Sequence, residues 1–372
     1  MAITSEEALV DAVKGAAGPI SVQGGGTRGL PATGQVMRVA GLQGITLYEP
    51  GALTLVAKPG TPVAEIEEAL AAENQRLAFE PMDHRGLLGT SGTPTIGGVM
   101  AGNISGPRRI SVGAARDFLL GVRFVDGRGA VVKNGGRVMK NVTGYDLVKL
   151  MAGSYGTLGV LSEVSMKVLP RPETQATLVL HGLDDGAAVA AMARALGSPF
   201  EVTGAAHDPA TRETALRIEG FEASVSYRLS QLQSLLAGAG AEIEQRDAAA
   251  TQALWSGIRD VAAFHDGQGD VWRVSCKPSD APGIAARSGA ERWTYDWAGG
   301  LIWLRSAAGH DLRAAIGPMD GHATLVRADA QTKARLGVFH PEPAGVARLT
   351  AALRAQFDPK GVFNAGQLDR AA

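Results

Sequence analysis

Three stretches of bare backbone, each beside a run of β-forming residues, constrain this chain more than any other feature. The first is Gly24-Gly25-Gly26-Thr27, directly after the strand-like Ile20-Ser21-Val22. The second runs from Gly89 to Gly106, with glycine at 89, 92, 97, 98, 102 and 106 and hydroxyls at Thr90, Ser91, Thr93 and Thr95. The third, Gly153 to Gly159, leads into Val160 and Leu161. Glycine supplies 49 of 372 residues, well above the usual share of about 7%, and no collagen-like period absorbs the excess.

Such segments are costly to fix, because glycine loses more backbone freedom on folding than any other residue. A ligand lying along them provides contacts that offset the cost. Where glycines reach positive φ, successive N–H groups can converge on one anion, and the Thr27 hydroxyl adds a donor. Strand then Gly-Gly-Gly-Thr reads either as a phosphate cradle or as a plain hairpin turn. A dinucleotide fingerprint would need G-x-G-x-x-G opening a helix, whereas Pro31 and Gly34 follow here, and a Walker lysine is missing. Three loops of this kind predict a long ligand with phosphates and flat rings. On this reading Gly25 needs positive φ, so Gly25→Val is expected to cost ligand binding.

Composition excludes several classes. Thirty-six basic residues against 37 acidic ones leave a formal charge of −1, with no footprint for nucleic acid. Cys276 is the single cysteine, which rules out an internal disulfide and any cysteine-held zinc or iron–sulfur centre. The seven histidines, at 84, 181, 207, 265, 310, 322 and 340, show no close ligand spacing, so no metal is expected. The N-terminus has early acids and no apolar core of signal-peptide length, and nowhere do eighteen apolar residues run together. A cytoplasmic protein is expected, resting at the inner face of the cell membrane only through a partner.

The texture divides the chain at 1–172, 173–340 and 341–372. In the first part, Leu53 to Gly60 reads as a strand, followed by a helix capped by Thr61 with Val63, Ile66 and Leu70 on one face. Phe118 to Lys133 reads as a hairpin around Asp126-Gly127. Val160 to Pro170 alternates like an edge or half-buried strand. From 173 onward strands alternate with amphipathic helices, as in an α+β layer with a mostly antiparallel sheet. Near the C-terminus, Val346, Leu349, Leu353 and Phe357 share a helical face, and a tail loop containing Asn364 is expected to dock.

Taken together, Gly24–Thr27, Thr95-Ile96-Gly97-Gly98, "GAARDFLLGVRFVDGRG", "GGRVMKNVTGYDLVKLMAGSYGTLGVLSEVSMKVLPRP" and the closing "FDPKGVFNAGQL" resemble the FAD-linked oxidase family. Its fold is that of vanillyl-alcohol oxidase and p-cresol methylhydroxylase. Within it, "GPRRISVGAARDFLLG" and "GRVMKNVTGYDL" are most similar to the FAD-binding subunits of bacterial glycolate oxidases. The likeness is specific over residues 15–172 and 345–369, and thin between them. It implies a two-part α+β FAD-binding domain at 1–172, an α+β cap domain at 173–340, and a helix and loop at 341–372 that return to the first domain.

The resemblance also implies a ligand for each loop. Gly24, Gly25, Gly26 and Thr27, with Thr95, Ile96, Gly97 and Gly98, would cradle the FAD pyrophosphate. Gly102 would pass near the ribityl chain or ring, Gly159 and Val160 would meet the adenine end, and Asn364 would return toward the flavin. The FAD would be non-covalent, because the first glycine turn has no histidine; His84 is the nearest candidate, either touching the flavin or lying in a surface loop. The implied partners are a second flavin subunit and an iron–sulfur subunit of a glycolate dehydrogenase, with a small 2-hydroxy acid as substrate. The alternative is a self-sufficient FAD-dependent oxidase or dehydrogenase of a hydroxy acid or alcohol; a third reading is a flavin-binding scaffold.

Catalytic residues are not identified. Arg108 and Arg109 read as carboxylate ligands or as a solvated turn, and Arg116-Asp117 as a local ion pair. Lys140 and Asp146 divide between a flavin-pocket role and helix capping. His322 and Arg327, five apart on one strand, fall on opposite faces and argue against a pair. Trp293, Trp297 and Trp303 read as a buried sheet core, or else as a surface for substrate or partner.

Overall fold

The computed structural model describes residues 1–30, 33–137 and 144–368. Lys140 and the middle of "GRVMKNVTGYDL" lie outside them.

The first part is built on a five-stranded antiparallel sheet in the spatial order Ile45–Glu49, Thr54–Ala57, Val160–Lys167, Leu119–Val125, Val131–Gly135. The Val160–Lys167 strand is therefore central, not an edge. Its alternation is masked because both faces are covered: Val164 and Met166 pack with Ile66, Leu70 and Phe79, while Val160 joins Leu9, Ile20 and Phe363. The hairpin forms as predicted, with Asp126 Oδ1 accepting the N–H groups of Arg128 at 2.9 Å and Ala130 at 2.8 Å. The Val63–Ala72 helix buries Val63, Ile66 and Leu70. Its cap differs from expectation: Pro62 holds that position, and the Thr61 hydroxyl accepts from Gly44 N–H (2.9 Å) and donates to the Lys58 carbonyl (2.7 Å). A separate parallel pair, Ile20–Gln23 with Gln35–Arg38, carries the first glycine turn at its end.

The second part is one eight-stranded antiparallel sheet. Its order is Glu242–Arg246, Thr174–His181, Glu213–Gly220, Gly204–Asp208, Arg292–Asp296, Leu301–Ser306, Asp270–Cys276, Gly321–Arg327. The helices Asp185–Leu196, Glu222–Leu236 and Ala281–Arg287 cover one face through Met192, Leu229, Leu232 and Ile284, packed on Trp272 and Val274. Strand alternation turns Val271 and Arg273 to the other face, where Val271, Trp297, Leu301 and Trp303 meet Met82 and Leu87 of the first part.

Buried ion pairs stitch this junction. Arg108 reaches Glu80 (2.9 Å) and Glu219 (2.8 Å), Arg217 reaches Glu80 (2.9 Å), and Arg76 reaches Glu219 (2.7 Å). Burial alone would raise both carboxyls, but the arginine charges more than reverse it and hold them below the usual carboxylate range.

The Ala344–Phe357 helix departs from expectation. It buries no residue, and Val346, Leu349 and Leu353 are exposed, Leu349 by 67%. Phe357 alone of that face leans inward, 6.0 Å from the Phe124 ring centroid. The loop after it does dock: Ile20 N–H donates to the Val362 carbonyl (2.6 Å), and Asn364 N–H to the Ile20 carbonyl (2.8 Å).

Candidate functional site

All three glycine segments converge on one open groove. Its wall includes Gly24, Gly25, Gly26 and Thr27 from the first turn, and Thr95, Gly97, Gly98 and Gly102 from the second segment. Gly159 and Val160 come from the third, and Asn364 from the tail. Ile96 is turned away into the core, fully buried. Its N–H is bonded to the Thr61 carbonyl at 3.0 Å, and that of Gly97 to the Pro59 carbonyl at 2.8 Å.

The bare residues are bare for two different reasons. A Cβ on Gly25 would overlap the Thr93 carbonyl, and one on Gly92 would overlap the Gly25 carbonyl. The first and second loops therefore cross in contact, which is a packing demand and not a φ demand. Positive φ belongs instead to Gly26 (+72°), where an added Cβ would meet nothing within 4 Å. The N–H groups of Gly24 through Arg28 make no hydrogen bond to the described residues. Unpaired backbone donors in a glycine turn of this kind form a nest for an anion, so the wall fits a phosphate-bearing ligand such as FAD.

Asn364 fixes the far side. Its Oδ1 accepts from Val22 N–H (2.7 Å) and its Nδ2 donates to the Tyr155 carbonyl (2.8 Å). Asn364 and Tyr155 both hold positive φ, at 45° and 52°. Non-glycine residues in this region persist only where the surroundings over-determine them, and here these reciprocal bonds do so.

His84 lines the groove. Its pKa is pushed down to about 3, first by burial and then by the nearby Arg28 charge, so the imidazole is neutral. Tyr155, Met82, Ile104 and Arg28 also line the wall; none was legible as a site residue in the sequence. Close by, Arg109 and Arg273 lie on the Trp297 ring, 4.6 and 5.0 Å from its centroid. Burial lowers Arg273 to about 10 and raises Asp296 to about 7. Trp297 and Ala298 both take positive φ (52° and 55°), and Trp297 Nε1 donates to the Gly106 carbonyl at 3.1 Å.

Other sequence candidates find structural work. Arg108 is neither a solvated turn nor a groove ligand, since its guanidinium belongs to the buried ion network. Arg116 and Asp117 form an exposed pair at 3.7 Å. Asp146 caps Leu147–Met151 through Lys149 N–H. Arg327 donates to the carbonyls of Phe264 (2.7 Å) and Gly267 (3.1 Å). Trp297 and Trp303 are buried, and Trp293 is half-buried with its Nε1 on Asp185 at 2.8 Å. Strand register brings His181, Glu213 and Glu244 together, which sequence spacing cannot reveal. Arg246 pairs with both glutamates, at 2.7 and 3.0 Å.

The model of the FAD binding domain family matches residues 1–135. The chain is 37% identical over 355 residues to the glycolate oxidase subunit GlcE of Escherichia coli strain K12, covering 94% of this chain and 92% of that protein. It is also 37% identical to the glycolate oxidase subunit GlcD of Bacillus subtilis, over 34% of this chain and 26% of that one. A solved structure of alkyldihydroxyacetonephosphate synthase superposes with a TM-score of 0.73 at 15% identity, covering 99% of this chain and 77% of that one, a likeness of fold. Among the described residues, no helix is long and apolar enough to cross a membrane. The chain belongs to the FAD-linked oxidase family that includes the E. coli glycolate oxidase subunit, and it is an FAD-binding oxidoreductase with a p-cresol methylhydroxylase-type fold.

Proposed function

We propose that this chain is the FAD-binding subunit of a multi-subunit dehydrogenase of glycolate or a related 2-hydroxy acid, passing electrons through its flavin to partner subunits. The observation that carries this reading is the extent of the likeness to a glycolate oxidase subunit, which spans the second sheet as well as the first. The exposed Val346, Leu349 and Leu353 stripe supports a chain that works against a partner. The partners on this reading are a second flavin subunit and an iron–sulfur subunit. The protein is cytoplasmic, at the membrane only through them.

The division of labour follows the groove. Residues 1–172 form the FAD-binding domain, 173–340 the cap, and 341–372 the returning helix and loop. Gly24, Gly25, Gly26 and Thr27 hold the pyrophosphate through their free N–H groups, with Thr95, Gly97 and Gly98 alongside and Ile96 anchoring that turn in the core. Gly102 runs by the ribityl chain, Gly159 and Val160 by the adenine, and Asn364 locks the wall from the tail. Bound FAD supplies a two-electron acceptor, and oxidation of a CH–OH group is the reaction class.

The test is a visible spectrum of the purified chain before and after anaerobic glycolate. Acid-released FAD and a flavin that bleaches only when the partner subunits are added are expected. Bleaching by glycolate in the isolated chain would assign the whole reaction to it. A flavin that no partner and no hydroxy acid reduces would overturn both readings.

A further inference from the structure

Arg28 lies across the bare backbone of the second glycine segment. Its Nη2 donates to the Gly98 carbonyl. A Cβ on Gly98 would stand 2.6 Å from that nitrogen, and one on Gly102 would collide with Nη1. These two glycines therefore make room for a guanidinium. Yet the guanidinium is not satisfied: Nη1 is sealed from solvent and has no hydrogen-bond partner among the described residues. An unmade bond at a buried charged donor is expensive, so this nitrogen awaits a ligand.

The surroundings select the sign of that ligand. His84 and Tyr155 line the groove beside Arg28. Met82 and Ile104 line it too, and both pack into the junctional cluster with Trp297 and Trp303. Arg28 thus sits where the groove meets the second sheet. From that sheet the Arg273 charge, like that of Arg28, holds down the pKa of the same His84. Two acids reach this region. Asp83 is held by Arg85 at 2.7 Å, and the buried Asp296 accepts the Trp297 N–H at 2.7 Å. No ion pair engages Arg28 or Arg273 among the described residues.

We infer that Arg28 is this chain's ligand for a delocalised oxyanion held where the groove meets the second sheet. The FAD pyrophosphate, at the neighbouring glycine turn, is a third oxyanion; two other sources offer that chemistry at the junction itself. One is the N1–C2=O2 edge of the reduced flavin; the other is the carboxylate of a small acid lying against the ring. The planar guanidinium matches either one. A cation preorganised there favours the charged partner without reorganising.

The experiment uses the FAD-loaded full chain, with Arg28→Met and Arg28→Lys. Sulfite is the first probe: its lone pair forms a bond to flavin N5, and the negative charge settles on the N1–C2=O2 edge. Oxalate, a carboxylate the flavin does not oxidise, is the second, followed by the flavin absorbance. FAD affinity is measured alongside, and no turnover is needed, so the result is independent of the subunit reading. We expect at least a tenfold weaker response in Arg28→Met and recovery of most of it in Arg28→Lys. Loss of sulfite affinity assigns the flavin edge, and loss of oxalate affinity alone assigns a small acid. Both probes binding Arg28→Met within twofold of the wild type overturn the inference, as does a wild-type flavin that takes neither. A loss of FAD affinity with both probe responses kept would assign Arg28 to the pyrophosphate, and overturns it too. Should Arg28→Met fail to bind FAD, Arg28→Gln, which keeps a donor toward the Gly98 carbonyl without the charge, takes its place under the same criteria.

Discussion

Asn364 Oδ1 accepts the Val22 N–H at 2.7 Å, joining residues 342 positions apart. The same side chain donates to the Tyr155 carbonyl at 2.8 Å, so one amide ties the first strand to the third glycine loop. Asn364→Leu removes two part-buried hydrogen bonds, each worth about 1 kcal/mol. We expect a lower unfolding temperature and weaker FAD binding together. Thermal unfolding with and without FAD checks this, and a variant with unchanged stability and unchanged FAD affinity would refute it.

Glu219 compensates Arg76 and Arg108 across the junction. Glu219→Gln keeps the shape and removes the charge, leaving Arg76 without its ion-pair partner and Arg108 with Glu80 alone, a change that costs up to roughly 3–5 kcal/mol. Denaturant unfolding measures it. A loss below about 1 kcal/mol would mean that the network rearranges around the gap.

The His84 ring makes a pH prediction with a definite sign. In the folded chain it stays neutral down to about pH 3, whereas in the unfolded chain it titrates near its ordinary value of about 6.5. As pH falls through that value, the unfolded state takes up a proton that the native state refuses. Stability is therefore lost on the acid side, by at most about 1.4 kcal/mol per pH unit. His84→Gln abolishes this contribution. The stability of wild type relative to His84→Gln should fall by about 2 kcal/mol between pH 8 and pH 5, and a constant difference would sink the assignment.

Gly25 and Gly26 stand side by side and should respond differently. Gly26→Ala forces a Cβ onto a φ of +72° in open space, costing about 1–2 kcal/mol of strain. Gly25→Ala drives a methyl into the Thr93 carbonyl and must push two loops apart. We expect Gly26→Ala to fold and Gly25→Ala to lose much of its stability. Equal losses, read by unfolding of the FAD-free chains, would show that the crossing of the loops is soft.

The local code was legible. Period-two and helical patterns located the hairpin at Asp126 and the buried face of Val63, Ile66 and Leu70, because these depend on neighbours within a few residues. The glycine spacing pointed to a groove, because bare backbone beside strands has few other uses. The tertiary structure decided which glycine needs positive φ and which merely has a carbonyl against it, since Thr93 and Gly25 meet only when distant loops cross. It took Thr61 from a helix cap to the Gly44 loop, and Arg108 from a turn to Glu219, 111 residues away. It left the Leu349 stripe uncovered, although periodicity alone reads as burial. Arg28 gave no signal at all in the chain, because its meaning lies in an unpaired nitrogen, and a missing partner exists only once everything else has been placed.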